Sequence, residues 1–230
     1  WGVFEVDEFS VSKVMPYLNC KAAIFLNLSR DQLDRYGETD IILDKWLSAL
    51  SYLKMKPCVF IPQSDPTLNR LSVFGSKCVH FTSDTHLLDK TNLKGAFDSR
   101  FQIFLAKNPA SFNHNLDTLN TTEFNGKPVI IVLNDNIPDG RDVSWIYDID
   151  PVKLHEVLHT RTVFVCGSRF LDMCVRLKYA GISVDNSHMF LFESQALMKV
   201  VNTGITDCII LPNYSGMLNV RKILTGRRIL

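Results

Sequence analysis

The chain has 230 residues, with 25 Lys and Arg against 24 Asp and Glu, for a formal net charge of +1. That balance removes the electrostatic case for nucleic acid or an anionic membrane surface, and no apolar run approaches the ~20 residues needed to span a bilayer. The hydrophobic fraction of 46% and charged fraction of 21% are those of an ordinary globular protein with one large or two small domains. The six cysteines are scattered without a CxxC pair, and several sit in apolar runs, as expected of small buried hydrophobes in a reducing, cytoplasmic protein. No signal peptide is visible. The chain opens inside an apparent strand without an initiator Met, which is expected of a fragment or a processed chain.

In chain order, residues 2–6 (GVFEV) predict a short strand ending in Asp7 and Glu8, with Glu5 and Asp7 on one face. Residues 11–18 predict a short helix and 22–27 a second strand. Residues 39–55 repeat apolar residues at helical spacing through Ile42, Trp46, Ala49, Leu50 and Leu53, and 57–61 predict a third strand. This alternation argues for right-handed βαβ units and a parallel sheet. Residues 62–100 are broken by Asp, Ser, Thr and Gly. Their apolar pieces, 71–74 and 78–81, leave antiparallel strands and irregular structure both open, and a domain boundary is expected at 97/98. Alternation then returns, with strands over 101–106, 129–133, 162–166 and 207–211 and helices over 110–119, 152–159, 169–179, 193–201 and 216–224. On the third of these helices, 169–179, Phe170, Met173, Cys174 and Leu177 form the apolar stripe, and Asp172 and Arg176 are expected to pair on the wet side.

The densest constellation is residues 134–150 (NDNIPDGRDVSWIYDID), where an apolar strand empties into a loop with five carboxylates: Asp135, Asp139, Asp142, Asp148 and Asp150. Ligands of α/β proteins bind beyond the carboxyl ends of parallel strands. An acidic surface turn built on Pro138, Asp139 and Gly140 explains the composition equally well, and the embedded Trp145 and Tyr147 favour a site. His155-Glu156-Val157-Leu158-His159 matches the HExxH pattern of zinc peptidases, but no third ligand follows and a plain surface helix is favoured. Gly167-Ser168-Arg169 between a strand and a helix is either a weak anion site or a tight turn. Glu5, Asp7 and Glu8 are candidate Mg²⁺ ligands, and Lys107 a candidate partner for phosphate; each also suits a simple surface role. There is no GxxxxGK[ST] loop and no nucleophile–His pairing.

Six stretches, taken together, resemble one family. They are EVDE (5–8), NLSRDQLDRYGE (27–38), LAKNPASFNHNLDTL (105–119), NDNIPDGRDVSWIYDID (134–150), GSRFLDMCVRLKYAGI (167–182) and LPNYSGMLNVRKIL (211–224). Their order is that of the MurT family, the Mur-ligase-like subunits of lipid II isoglutaminyl synthase. The resemblance implies an α/β architecture: a partial Mur ligase central domain with a parallel sheet over 1–97, followed by a Rossmann-like C-terminal domain over 98–230. It implies ATP-dependent amidation of the D-glutamate of lipid II, with ATP and Mg²⁺ as cofactors and a GatD-like glutamine amidotransferase subunit as partner. By position it carries Mg²⁺ binding to Glu5 and Gln32. It places Asn134 and Asp135 in the loop that closes over nucleotide and substrate, and makes Asp142 or Asp148 the aspartate that faces the amidotransferase.

The departures from the family are specific. The phosphate-binding loop would lie before Trp1. Only Cys58 and Cys78 stand where the family has a four-cysteine zinc ribbon, so zinc is not expected. IPQSDP at 61–66 replaces a nucleotide-binding segment, and Ser111 replaces a glycine. Two expectations follow: a ligase subunit whose central domain is incomplete, or a non-catalytic module that binds the amidotransferase or a cell-wall precursor.

Overall fold

A computed structural model describes residues 2–26, 28, 39–63, 65–81, 91–94 and 99–226. The chain forms two compact units that divide between Asp84 and Thr85. The division falls before the expected 97/98 because strand β4 (Thr91–Lys94) pairs antiparallel with β5 (Arg100–Ile103) of the second unit. Among the described residues, no helix is long and apolar enough to cross a membrane.

In the first unit, helix α1 (Val11–Val14) runs into a 3-10 turn (Met15–Tyr17), followed by β1 (Ala22–Ile24), α2 (Thr39–Ser51), β2 (Cys58–Pro62), a long 3-10 helix (Pro66–Phe74) and β3 (Lys77–Phe81). The three strands form a parallel sheet in the order β1-β2-β3. Ile42, Leu43, Trp46 and Leu50 of α2 pack on Val59 and Ile61 of β2 and on Leu68 and Leu71 of the 3-10 helix. Burial of this stripe, rather than helix propensity, holds α2 in place. Two expectations fail here. Residues 2–6 form no strand, and Val3 and Phe4 are exposed, because no neighbouring strand takes up their backbone. Residues 71–74 are helical: Asp65 accepts the Thr67 N–H and Pro66 stands at the first helical position, a start signal that outweighs the β-branched character of Val73.

The second unit is a three-layer α/β sandwich. Its sheet runs β4-β5-β9-β6-β7-β8, with β6 (Val129–Val132), β7 (Val163–Cys166), β8 (Met189–Phe190) and β9 (Asp207–Pro212) all parallel to β5. All four residues of β6 are buried, which a sheet covered on both faces requires. Val129 and Ile131 meet Leu116 of α3 (Pro109–Leu119), Leu154 of α4 (Pro151–Leu158) and Leu177 of α5 (Phe170–Tyr179). Ile130 and Val132, pointing the other way, meet Leu197 of α6 (Glu193–Asn202) and Val220 of α7 (Tyr214–Thr225). The cysteines are free. Cys166 and Cys208 are buried, and burial pushes the Cys174 thiol up to about 11, so these three behave as apolar side chains.

The topology fixes where a site can open. Neighbouring strands β6 and β9 send their chains to opposite faces, β6 towards α4 and β9 into α7. Between two such strands the outgoing loops diverge, and a crevice opens at their carboxyl ends.

Candidate functional site at the carboxyl ends of β6 and β9

Each of the two strands is followed by an asparagine, and the two are locked to each other. Asn213 donates Nδ2–H to the Asn134 carbonyl at 2.7 Å, and the Asn134 N–H donates to Asn213 Oδ1 at 3.3 Å. Asn134 also donates Nδ2–H to Glu193 Oε1 at 2.9 Å and accepts the Ser168 N–H on Oδ1 at 2.8 Å. Asn219 gives Glu193 a second donor. Asn134, Asn213 and Glu193 are all buried, while Ser168 and Asn219 carry the network out to the exposed surface. Two glycines permit it. Gly167 has φ +107, and a Cβ there would lie 2.3 Å from the Leu133 carbonyl oxygen. A Cβ on Gly216 would lie 2.7 Å from Val132 Cγ1. Sequence reasoning missed Asn213 and Glu193; the only signal was the repetition of an apolar strand followed directly by Asn.

A second layer sits closer to solvent. The Ser168 hydroxyl donates to Asp135 Oδ1 at 2.6 Å, and Arg169 stands 3.5 Å from Asp135 Oδ2 while gripping both oxygens of Asp172 at 2.7 and 3.2 Å. The Ser168 hydroxyl, more than the guanidinium, holds the Asp135 carboxyl below its ordinary value. Deeper in the loop, Asp139 accepts from both the N–H and the hydroxyl of Ser215, and Asn136 donates to the same hydroxyl at 2.9 Å. Burial nevertheless pushes the Asp139 carboxyl up.

The far end of the loop is pinned from below. Asp142 accepts the Ser144 N–H at 2.8 Å and starts a 3-10 helix, Ser144–Asp148. Trp145 and Ile146 sink into the core, while Tyr147 is half exposed with its ring 6.5 Å from that of Tyr179. Arg176 donates to the carbonyls of Ile146 and Ile149. The expected wet-side pair of Asp172 and Arg176 is therefore wrong. Arg176 is 3% exposed and serves the loop, and Asp172 belongs to Arg169. Trp145 is a core anchor, so the two aromatics do not mark a site in the way their sequence position suggested.

The predicted site residues divide accordingly. Asn134, Asp135 and Arg169 come together, tied through Ser168. Asp142 lies two residues before the 3-10 helix, and Asp148 is its last residue and exposed. Lys107 is exposed just past β5, where the Ala106 N–H still pairs with the Pro212 carbonyl of β9. Glu5 is exposed on irregular backbone, and Asp7 turns aside to accept from Phe9, Ser10 and the Ser10 hydroxyl, so the expected acid face does not form. Gln32 lies outside the described residues.

Of the two readings open for Gly167-Ser168-Arg169, weak anion site or tight turn, the turn fits, because the chain itself takes up its donors. The Ser168 N–H goes to Asn134 and the Arg169 N–H to the Leu133 carbonyl. Among the described residues no three metal-binding side chains converge. What the arrangement does offer is a rigid acidic loop, with Asp135 and Asp148 reaching its surface on an anchored backbone.

Residues 105–217 match the family model described as MurT ligase C-terminal. That match takes in the whole acidic loop and both asparagines. The MurT subunit of lipid II isoglutaminyl synthase (glutamine-hydrolyzing) from Staphylococcus aureus strain COL is 23% identical over 327 residues, covering 94% of this chain and 72% of the relative. The same subunit of strain N315 gives the same figures. The MurT subunit of Streptococcus pneumoniae R6 is 25% identical over 132 residues, covering 57% of this chain and 29% of its own. An alignment of 327 residues is longer than this chain of 230, so within it the staphylococcal proteins carry segments that this chain lacks. The chain is thus similar to the MurT subunits over 94% of its length, and its residues 105–217 match the MurT ligase C-terminal family model.

Proposed function

We propose that the chain acts as a MurT-type ligase subunit in the amidation of the D-glutamate of lipid II, together with a GatD-like glutamine amidotransferase subunit. The observation behind this reading is the alignment with two staphylococcal MurT subunits over 94% of the chain. In this reading residues 134–150 are the working surface. Asp142 or Asp148 meets the amidotransferase and orients its catalytic His, while Asn134 and Asp135 brace the ligase side. A loop held by Arg176 and Trp145 suits that role, since a positioning carboxylate must stay within tenths of an ångström of its geometry.

ATP and Mg²⁺ would be the co-reactants of such a ligase, supplying the phosphoryl group that activates the glutamate carboxyl. The described residues do not fit them. Glu5 is exposed on irregular backbone, the N–H groups of Ser168 and Arg169 are spent, and no metal-binding trio forms among them. No step of phosphoryl transfer is assigned to these residues.

The second reading, a non-catalytic module that binds the amidotransferase or a precursor, draws support from that misfit and from the segments the alignment shows to be missing. One experiment separates the two. The chain is co-expressed with the amidotransferase subunit of its own genome, and the purified complex is given lipid II, glutamine and Mg²⁺–ATP. Conversion of D-glutamate to D-isoglutamine with ATP consumption supports the ligase. A stable complex that neither consumes ATP nor amidates supports the module. Failure to form a complex sinks the ligase reading and the amidotransferase-binding form of the module, and lipid II binding by the isolated chain then decides the precursor-binding form.

A further inference from the structure

We infer that the turn at Asn125-Gly126 is a self-modification site, where the Gly126 nitrogen closes on the Asn125 side chain, ammonia leaves, and water converts the residue to aspartate or isoaspartate. The turn precedes β6, at the opposite end of that strand from the acidic loop, and the inference does not depend on the proposed ligase role.

Asparagine followed by glycine is the pair most prone to this ring closure, because glycine has no side chain to crowd the attacking nitrogen and its backbone turns freely. The chain holds one such pair, and one Asp-Gly pair, Asp139-Gly140, that can close the same ring with water as the leaving group. The fold treats the two pairs differently. Asn125 and Gly126 are exposed, and Gly126 has φ +73 with nothing within 4 Å of where a Cβ would sit. Among the described residues neither the Asn125 amide nor the Gly126 N–H makes a hydrogen bond. The ends of the turn are fixed instead. The Lys127 N–H donates to the Phe124 carbonyl at 3.3 Å, and Arg161 Nη1 donates to the carbonyls of Phe124 at 2.6 Å and Lys127 at 3.0 Å. Phe124 is buried, its ring 5.4 Å from that of Phe104. The turn is thus held from below, and the peptide that must rotate is left free at its tip.

At 139–140 both reacting groups are taken. Asp139 accepts the N–H and the hydroxyl of Ser215, and the buried Gly140 donates its N–H to the Ile137 carbonyl at 3.4 Å. Ring closure there must first break these bonds and leave buried partners unsatisfied.

Water is the one co-reactant the step needs. The Gly126 nitrogen bonds to Asn125 Cγ, the Cγ–Nδ2 bond breaks, and the Gly126 amide proton departs with that nitrogen as ammonia. Water then opens the cyclic imide. Cleavage at Cγ gives aspartate, and cleavage at the main-chain carbonyl carbon gives isoaspartate, with the chain rerouted through Cβ and Cγ. Either product adds one negative charge, which takes the formal net charge from +1 to 0.

The test incubates the intact chain at neutral pH and physiological temperature, and follows every asparagine by peptide mass and every isoaspartate by enzymatic methylation. Asn125 should gain one mass unit before any other asparagine does, giving isoaspartate and aspartate together. Asp139 should form isoaspartate only in urea, where unfolding frees both of its reacting groups. Asn125→Gln should lose the modification at this turn, because glutamine must close a larger ring, and circular dichroism should show the fold intact. An unchanged Asn125 in the folded chain would overturn the site, whatever happens in urea. So would isoaspartate forming at Asp139 in the folded chain as fast as at Asn125.

Discussion

At the scale of single residues, the acidic loop is not one electrostatic object. Its carboxylates have been given different tasks by their neighbours. Asp135 is held below its ordinary value of 3.8 by the Ser168 hydroxyl, whereas Asp139 is raised above it by burial. The signs oppose each other in stability. A depressed carboxyl stabilises above its unfolded pKa, and that contribution is lost as pH falls through the folded value. A raised one gives its full contribution below the unfolded pKa and loses it as pH rises through the folded value. Asp139→Asn should therefore lose ground to the wild type as pH drops from about 7 to about 4, while the deficit of Asp135→Asn should hold over that interval and shrink only below about pH 4, as pH falls through its lowered folded value. Urea midpoints at the two pH values read this directly, and a pH-independent difference for Asp139→Asn would show that burial does not raise that carboxyl. Asp142 and Asp148 bear on function instead. Asparagine at 142 keeps the acceptor for the Ser144 N–H, so the fold should survive. In the complex with an amidotransferase, one of Asp142→Asn and Asp148→Asn should cut glutamine-driven amidation by roughly 100-fold or more, as expected when a catalytic His loses its orienting partner. Wild-type turnover in both variants would remove the loop from the reaction.

At the scale of elements, α5 and the loop's 3-10 helix form a working pair that the sequence disguised. The pattern Phe170, Met173, Cys174, Leu177 located α5 well, because apolar spacing reports which face is buried. It could not report that Arg176 also turns inward, since a polar residue in a helix is assigned to water by default. The loop's free carbonyls, which draw the guanidinium in, exist only after the chain has folded. The same limit hid the Asn134–Asn213 pair, whose members lie 79 residues apart. The Arg176 contact is open to measurement. Its guanidinium is 3% exposed and serves two carbonyls. Arg176→Met fills much of the volume but leaves both acceptors without a partner, at about 1–3 kcal/mol for each buried group. A loss of about 2–5 kcal/mol is expected, with faster amide exchange across residues 144–150 than elsewhere. If stability drops but exchange in that stretch is unchanged, Arg176 supports the core and not the loop.

At the scale of the molecule, what was legible and what was not follows from the range of the interactions. Strands buried on both faces alternating with helices announced a parallel sheet through residues 101–224, and the structure has one. The order β4-β5-β9-β6-β7-β8 was not legible, since β9 is inserted between β5 and β6 by a return crossover that leaves no local trace. Nor was the two-residue β8, too short to show a period. The stretch 62–100 stayed open in the sequence because β4 belongs in space to the second unit. That reassignment leads to the largest-scale prediction. Each of the three hydrophobic clusters draws its residues from one unit only: two from residues 104–211 and 101–224, and one from 11–78. A chain of about 150 residues buries roughly 68–70% of its unfolded surface, enough for independent stability. Residues 85–230 expressed alone should therefore fold, with a sharp urea transition whose slope matches a domain of that size. A version starting at residue 98 lacks β4 and exposes the edge of β5, whose Phe101 and Ile103 are buried in the whole chain. It should be less stable and more prone to associate, because an uncovered strand edge pairs with other chains. Equal stability of the two versions would make β4 an ornament of the sheet. A broad transition in residues 85–230 would instead mean that the sandwich needs the first unit to complete it.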